Sequence, residues 1–372
     1  MRRKDDAQIS NAGTNFLIQF YIYKLMVRLT TATAKFMKVS VCIPTYNQAL
    51  YIDQTIRSCT KQTVVPTEII VSDDCSTDHT MDVLVTLAQE FSYLKIVKQP
   101  VNIGMVPNTD SVLRMATGDF IVKLDSDDYL APTYIEKLGQ LLQLHPAAGY
   151  AHGAVQEIDG KGIYKKQRLL ARQTGFYDSD TALKNAIYGY QVAANIIMFR
   201  KTALEAVGYI TAKTNFAEDY YLSAELAAAG FGNVFFNEIL SYYRVWEDTG
   251  KVRQRRKLAE IIALRQVFEE VLEPAFKKRN WSMDPLNASK TNFACTQADC
   301  LSWQLYSQVE KEELAAELRK LSSAPKAKLF ATLYLKEFGG ILNIFKKFVS
   351  VPKSILKTAW LIFVVRLKNI KS

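Results

Sequence analysis

The chain has 372 residues, 49% of them hydrophobic and 23% charged, which allows one large domain and a smaller one. Its five cysteines, Cys42, Cys59, Cys75, Cys295 and Cys300, are scattered, odd in number and free of any Cys-x-x-Cys pair, which argues for a reducing compartment and against a disulfide framework or a zinc site. The net charge of +10 sits at the two ends: seven Lys/Arg and no acid over residues 338–372, six Lys/Arg against two Asp over 1–37, with a nearly neutral middle. That distribution suits an anionic membrane surface and speaks against a nucleic-acid partner, whose enzymes carry basic charge on the folded core.

Residues 1–37 form an N-terminal extension. Its apolar stretch, Phe16 to Val27, is too short to span a bilayer, which takes about 20 residues. It lacks a small-residue cleavage site. A surface helix and upstream translated sequence both fit, the second because Met37-Lys38 stands directly before the first strand. From Lys38 the pattern alternates. Strands are expected at 39–43, 68–72, 94–98 and 120–124, and helices at 51–60, 80–90, 107–116 and 134–144. The first strand should run into a turn, Pro44-Thr45-Tyr46-Asn47. This is an α/β pattern implying a doubly wound, mostly parallel sheet. Beyond Leu144 the expectation is a hairpin and loop over 153–175, a strand at 192–199, a helix over 218–229 closed by Gly230, and two short strands at 234–236 and 240–245. Residues 38–250 make the first domain and 251–338 a helical C-terminal region. Residues 339–372 make a basic amphipathic tail suited to lie in a membrane interface with snorkelling lysines, although a docked C-terminal helix with a solvated basic face reads the same way.

The fourth strand ends in Leu124-Asp125-Ser126-Asp127-Asp128. Side chains two apart share a face, so Asp125 and Asp127 point into one space at the strand's carboxyl end, where open α/β sheets bind ligands. Two hard oxygen donors there suit Mg²⁺ or Mn²⁺ carrying a diphosphate. An acidic loop capping the next helix has the same composition.

Five segments in order, Val39 to Asn47, Ile69 to Asp78, Asn102-Ile103-Gly104, Ala116 to Asp128 and Glu218-Asp219, resemble the motifs of the family 2 glycosyltransferases. The resemblance covers roughly residues 38–245. It implies the GT-A type nucleotide-diphospho-sugar transferase fold, here with a helical C-terminal extension. It also implies an inverting transfer of a sugar from a nucleoside-diphosphate sugar to a glycan or lipid-linked acceptor in surface polysaccharide assembly, at the cytoplasmic face of the membrane. By that resemblance Pro44, Thr45, Tyr46, Asp74, Asn102, Gly104 and Asp125 face the nucleotide sugar. Asp127, with Asp125, holds Mn²⁺ or Mg²⁺, and Asp219 is the general base. Each has a plainer reading: Asp74 as an Asx-turn residue, Tyr46 as a packing tyrosine, Glu218 and Asp219 as partners of a helix dipole. Relatives often place a histidine two residues after an arginine, where this chain has Arg244-Val245-Trp246, and tryptophan cannot ligate a metal. That substitution keeps open an alternative, a catalytically inactive, membrane-associated sugar-nucleotide-binding relative. A nucleotidyltransferase would need a glycine-rich basic loop after strand one, and a nicotinamide enzyme a Gly-x-Gly-x-x-Gly. Neither is present.

Overall fold

The computed structural model describes residues 37–211, 216–246, 251–336 and 338. Four strands, β1 (Val39–Thr45), β2 (Glu68–Asp73), β3 (Leu94–Lys98) and β4 (Phe120–Lys123), run parallel in the order β3-β2-β1-β4. They alternate with α1 (Ile52–Thr60), α2 (Thr80–Glu90) and α3 (Met105–Arg114). Beyond β4 the sheet turns mixed. It continues β4-β9-β6-β10-β5, with β5 (Tyr129–Leu130), β6 (Ala148–Ile158), β9 (Ile197–Arg200) and β10 (Gly232–Arg244). β9 is antiparallel to both neighbours, whereas β6 and β10 are parallel. Two short strands, β7 (Tyr164–Arg168) and β8 (Gly175–Tyr177), pair with β6 and β10.

The strands sort their side chains by period two. Val39, Val41, Ile43, Ile69, Val71, Phe120 and Val122 enter one layer with Ile52 and Ile56 of α1, Leu84 and Leu87 of α2, and Leu138 and Leu142 of α4 (Tyr134–Leu144). Cys42, Ile70 and Ile121 enter the other layer. They meet Val112 and Leu113 of α3, Leu204 of α6 (Lys201–Val207), and Leu222 and Leu226 of α7 (Glu218–Ala228). α5 (Ser179–Ala186) lies between β8 and β9 in the chain. Each fully buried Val, Leu or Ile contributes about 1.5–3 kcal/mol.

Several boundaries differ from the sequence expectation. Pro44 and Thr45 pair with Ser72 and Asp73 inside β1, so the turn starts only at Tyr46. The helix expected at 107 begins at Met105, because Gly104 at φ 93° turns the chain into it. The two short strands expected near 234 and 240 are one strand, β10. Register shifts around Phe236, Ile239 and Ser241 absorb the polar pair Asn237-Glu238 without breaking the pairing to β6.

Contacts divide the chain into two units. One runs up to Thr249 and includes Glu269–Arg279, and the other comprises Gly250–Phe268 and the chain from Asn280 onward. Helices of the second unit include Lys257–Gln266, Asp284–Gln297, Gln308–Leu321 and Pro325–Leu335, with a Ser307–Glu310 capping box opening the third. Arg265 pairs with Glu317 inside it at 3.1 Å. The N-terminal extension before Met37 and the basic tail 339–372 lie outside the described residues. Among the described residues no helix is long and apolar enough to cross a membrane.

One buried carboxylate stitches the amino ends of the first four strands. Glu68 Oε1 accepts from Ser40 Oγ at 2.6 Å and from Thr117 N and Oγ1 at 2.7 Å, and Oε2 accepts from Lys95 at 2.6 Å. Gly118 N donates to the same Ser40 Oγ, and a Cβ on Gly118 would meet Ser40 N at 2.7 Å. Burial would raise the Glu68 pKa, but Lys95 and these donors outweigh it and bring it down to about 2. Glu68→Gln should therefore cost about 2–4 kcal/mol at pH 7. A depressed carboxylate stabilises only above its unfolded value of about 4.3, so that gap should close as pH falls from about 4 toward 2, measured by urea unfolding.

Candidate active site

The carboxyl ends of β1, β2 and β4 meet at one rim. The loop after β1 is zipped to the loop after β2: Asn47 N donates to Ser76 Oγ, Gln48 N to Thr80 Oγ1, Ala49 N to Asp78 Oδ2, and Thr77 N back to Asn47 Oδ1. Asp73 accepts from Ser76 N and Oγ and so closes the turn itself. Asp74 is buried and does something else. Its Oδ1 accepts from Ile103 N at 2.8 Å and its Oδ2 from Gly104 N at 2.9 Å, tethering the Asn102-Ile103-Gly104 loop to β2. Each oxygen keeps a lone pair for a further donor. Tyr46 is 44% exposed at the rim, Asn102 is exposed, and Thr45 is buried, its hydroxyl without a partner among the described residues.

The turn after β4 is held from three sides. Thr55 Oγ1 of α1 donates to the carbonyls of Ser126 and Asp128. Arg244, buried at the end of β10, donates from Nε to Asp127 O, from Nη1 to Asp159 O and from Nη2 to Gln54 Oε1, all at 2.8–3.0 Å. Asp128 turns inward, accepting from Arg244 N at 2.7 Å, and burial drives its pKa well up. Asp125 and Asp127 therefore remain as the two carboxylates of the rim. Burial, opposed by the Trp246 hydrogen bond, also raises Asp127. Trp246 Nε1 donates to Asp127 Oδ2 at 2.8 Å, while the indole, 54% exposed, stands edge-on to Tyr51 at 5.3 Å. At this position the chain thus supplies a donor to Asp127.

Asp219 sits in the first turn of α7 and is 5% exposed. The residue before the helix pair, Ala217, takes φ 56°, a strained conformation for a side chain with a Cβ. Lys123, at the end of β4, reaches between the two halves of the rim. Its Nζ lies 3.4 Å from Asp125 Oδ1 and 3.4 Å from Asp219 Oδ1. Asp219 Oδ1 makes no hydrogen bond among the described residues. Burial raises the Asp219 carboxyl, Lys123 opposes this, Glu218 and Asp125 add to it, and the pKa is pushed up to about 7. The same carboxylates raise the Lys123 ammonium, which stays charged. Sequence reasoning missed Lys123 and the clamp of Arg244. Both were visible as charged residues in apolar strand patterns.

Among the described residues no three His, Cys, Asp or Glu side chains form a metal cage. Asp125 and Asp127 still fit a hard divalent cation, since Mg²⁺ takes one or two carboxylates plus substrate phosphates and water. Asp127 Oδ1 is the oxygen that Trp246 leaves free.

Residues 40–208 match the family model described as Glycosyl transferase family 2. This stretch is a family 2 glycosyltransferase domain. An uncharacterized glycosyltransferase of Haemophilus influenzae is 32% identical over 126 residues, 34% of this chain and 50% of that protein. The hyaluronan synthase of Pasteurella multocida is 32% identical over 140 residues, 36% of this chain and 14% of that protein. The chain thus spans about half the length of the first relative and a small part of the second. A mannosyltransferase from Pyrobaculum calidifontis, solved with GDP-Man and Mn²⁺, superposes with a TM-score of 0.52 at 19% identity, covering 84% of this chain and 82% of that one. The glycosyltransferase domain has the GT-A fold, with the mixed sheet described above.

A raised carboxyl in this domain has a stability signature. The folded state binds the Asp219 proton more tightly than the unfolded chain, whose value is about 3.9. Its contribution is full below about pH 4 and is lost as pH rises through 7. The stability of Asp219→Asn relative to wild type should therefore grow between pH 4 and pH 8. The growth is up to about 4 kcal/mol, each tenfold change in proton affinity being worth about 1.4 kcal/mol. Chemical denaturation at a series of pH values measures it.

Proposed function

We propose that this chain transfers a sugar, with inversion, from a nucleoside-diphosphate sugar to a glycan or lipid-linked acceptor hydroxyl in polysaccharide assembly. The observation that carries this reading is the meeting of Asp125 and Asp219 on one buried ammonium at the carboxyl end of β4. One carboxylate belongs to the strand-end turn and the other to a helix start some ninety residues later. Asp219 Oδ1, without a hydrogen bond among the described residues and with its carboxyl pushed up to about 7, is suited to take the proton of an attacking hydroxyl. Pro44, Thr45, Tyr46 and Asp74 with its tethered Asn102-Ile103-Gly104 loop line the nucleotide side, and Tyr46 presents an exposed ring for a base. Asp127 and Asp125 would hold Mn²⁺ or Mg²⁺, which when bound would supply positive charge to offset that of a departing diphosphate. The chain's own part in the chemistry is then the base, Asp219.

The relatives support the polymer context, since one is named a hyaluronan synthase, and a structural neighbour holds GDP-Man with Mn²⁺. The Trp246–Asp127 bond favours a second reading, an inactive relative that binds sugar nucleotides. Donor turnover with and without Mn²⁺ separates the two. Asp219→Asn should lower turnover about 10²–10⁴-fold while nucleotide affinity holds. Asp127→Asn should lose Mn²⁺-dependent nucleotide affinity in calorimetry. Absence of turnover in wild type alongside Mn²⁺-dependent nucleotide binding supports the inactive reading.

We also assign the basic tail, 339–372, to the inner membrane surface, on its charge and apolar pattern. Deleting it should shift the protein to the soluble fraction at low salt, and unchanged sedimentation with anionic vesicles would contradict the assignment.

A further inference from the structure

β4 is apolar at Phe120, Ile121 and Val122 and is followed by Leu124, so the fold itself asks for an apolar residue at position 123. Lys123 stands there instead, in the middle of the sheet, between Cys42 of β1 and Ile197 of β9. Its side chain is 4% exposed. An ammonium in such a place persists only with partners, and it has two, one on each side of the rim. Asp125 Oδ1 and Asp219 Oδ1 are each 3.4 Å away, and Asp219 Oδ2 is at 3.5 Å.

We propose that Lys123 is a positioning residue that ties the donor-side carboxylate Asp125 to the acceptor-side base Asp219. The inference rests on the reading of Asp219 as the base. The contact geometry suits that task. The ammonium straddles both Asp219 oxygens at long range and makes no short, linear bond to Oδ1. It attracts the carboxylate and sets its place, while Oδ1, buried and without a hydrogen bond among the described residues, keeps lone pairs for the hydrogen of a hydroxyl brought against it. The helix carrying Asp219 begins after a left-handed Ala217 and has no side-chain N-cap, so local structure does not aim the carboxylate. The strand does so through Lys123. Among the described residues the other titratable groups that interact with Asp219 include Glu218 on its own helix, Asp125 on the β4 turn and the Tyr190 hydroxyl on the segment before β9. The first two repel it, and the third has no hydrogen-bond partner among the described residues.

The test uses the full chain with Mn²⁺, reading UDP or GDP release from UDP-glucose, UDP-N-acetylglucosamine and GDP-mannose, with water standing in for the acceptor. Lys123→Met should lower kcat about 10–10³-fold, with KM and the calorimetric Kd for UDP or GDP changed less than about threefold, a kcat effect without a binding effect. Lys123→Arg, which keeps the charge, should recover part of the loss and guards against a variant that fails to fold. In an Asp219→Asn background, Lys123→Met should change kcat less than about threefold, because the two act as a unit. Wild-type kcat in Lys123→Met, or a full additional loss in the Asp219→Asn background, overturns the proposal while leaving the base intact. Undiminished turnover in Asp219→Asn overturns the base assignment and this inference with it.

Discussion

A charge can stay inside a protein only where another charge or a set of donors meets it. The rim of this sheet is built on that constraint. Asp125, Asp127, Asp128 and Asp219 crowd the end of β4, and three different partners answer them. Asp128 is answered by a backbone N–H of Arg244, Asp127 by an indole, and Asp125 and Asp219 by one shared ammonium. Without those partners, ionised carboxylates so close together would repel one another.

The same economy appears at the opposite end of the strands. Glu68 gathers Ser40, Thr117 and Lys95, and so joins β1, β2, β3 and the entry to β4 at a single buried group. The two ends differ in what their electrostatics achieve. At the amino ends, donors and a cation lower the carboxyl to about 2 and the group serves as a fixed anion. At the carboxyl ends, burial prevails, and Asp219 rises to about 7. A group poised there exchanges its proton near neutral pH, which is what general-base work requires.

The Trp246–Asp127 bond changes what the rim asks of its surroundings. A histidine in that place offers a lone pair to a cation, whereas an indole offers a hydrogen to the carboxylate. The carboxylate is then oriented from the protein side, through Oδ2. Arg244 supports this by holding the Asp127 carbonyl and the Asp159 carbonyl together while its guanidinium lies 4.4 Å over the Tyr51 ring. The turn is thereby a rigid scaffold of the kind that binding sites need.

Local sequence alone determined the first half of the sheet. Hydrophobic alternation in β1, β2 and β4 and the periodic faces of α1, α2 and α4 placed those elements to within a residue or two, because each buries one face against its immediate neighbours. The acidic pair at the end of β4 was equally legible, since side chains two apart on a strand share a side. The antiparallel β9, the single bulged β10 and the pairing of Lys123 with Asp219 were decided by tertiary structure. Residue 123 and residue 219 have no periodic relation. Only the burial of α7 against the sheet brings them together, and a lysine in an apolar strand reads as a blemish until the carboxylate that it serves is seen.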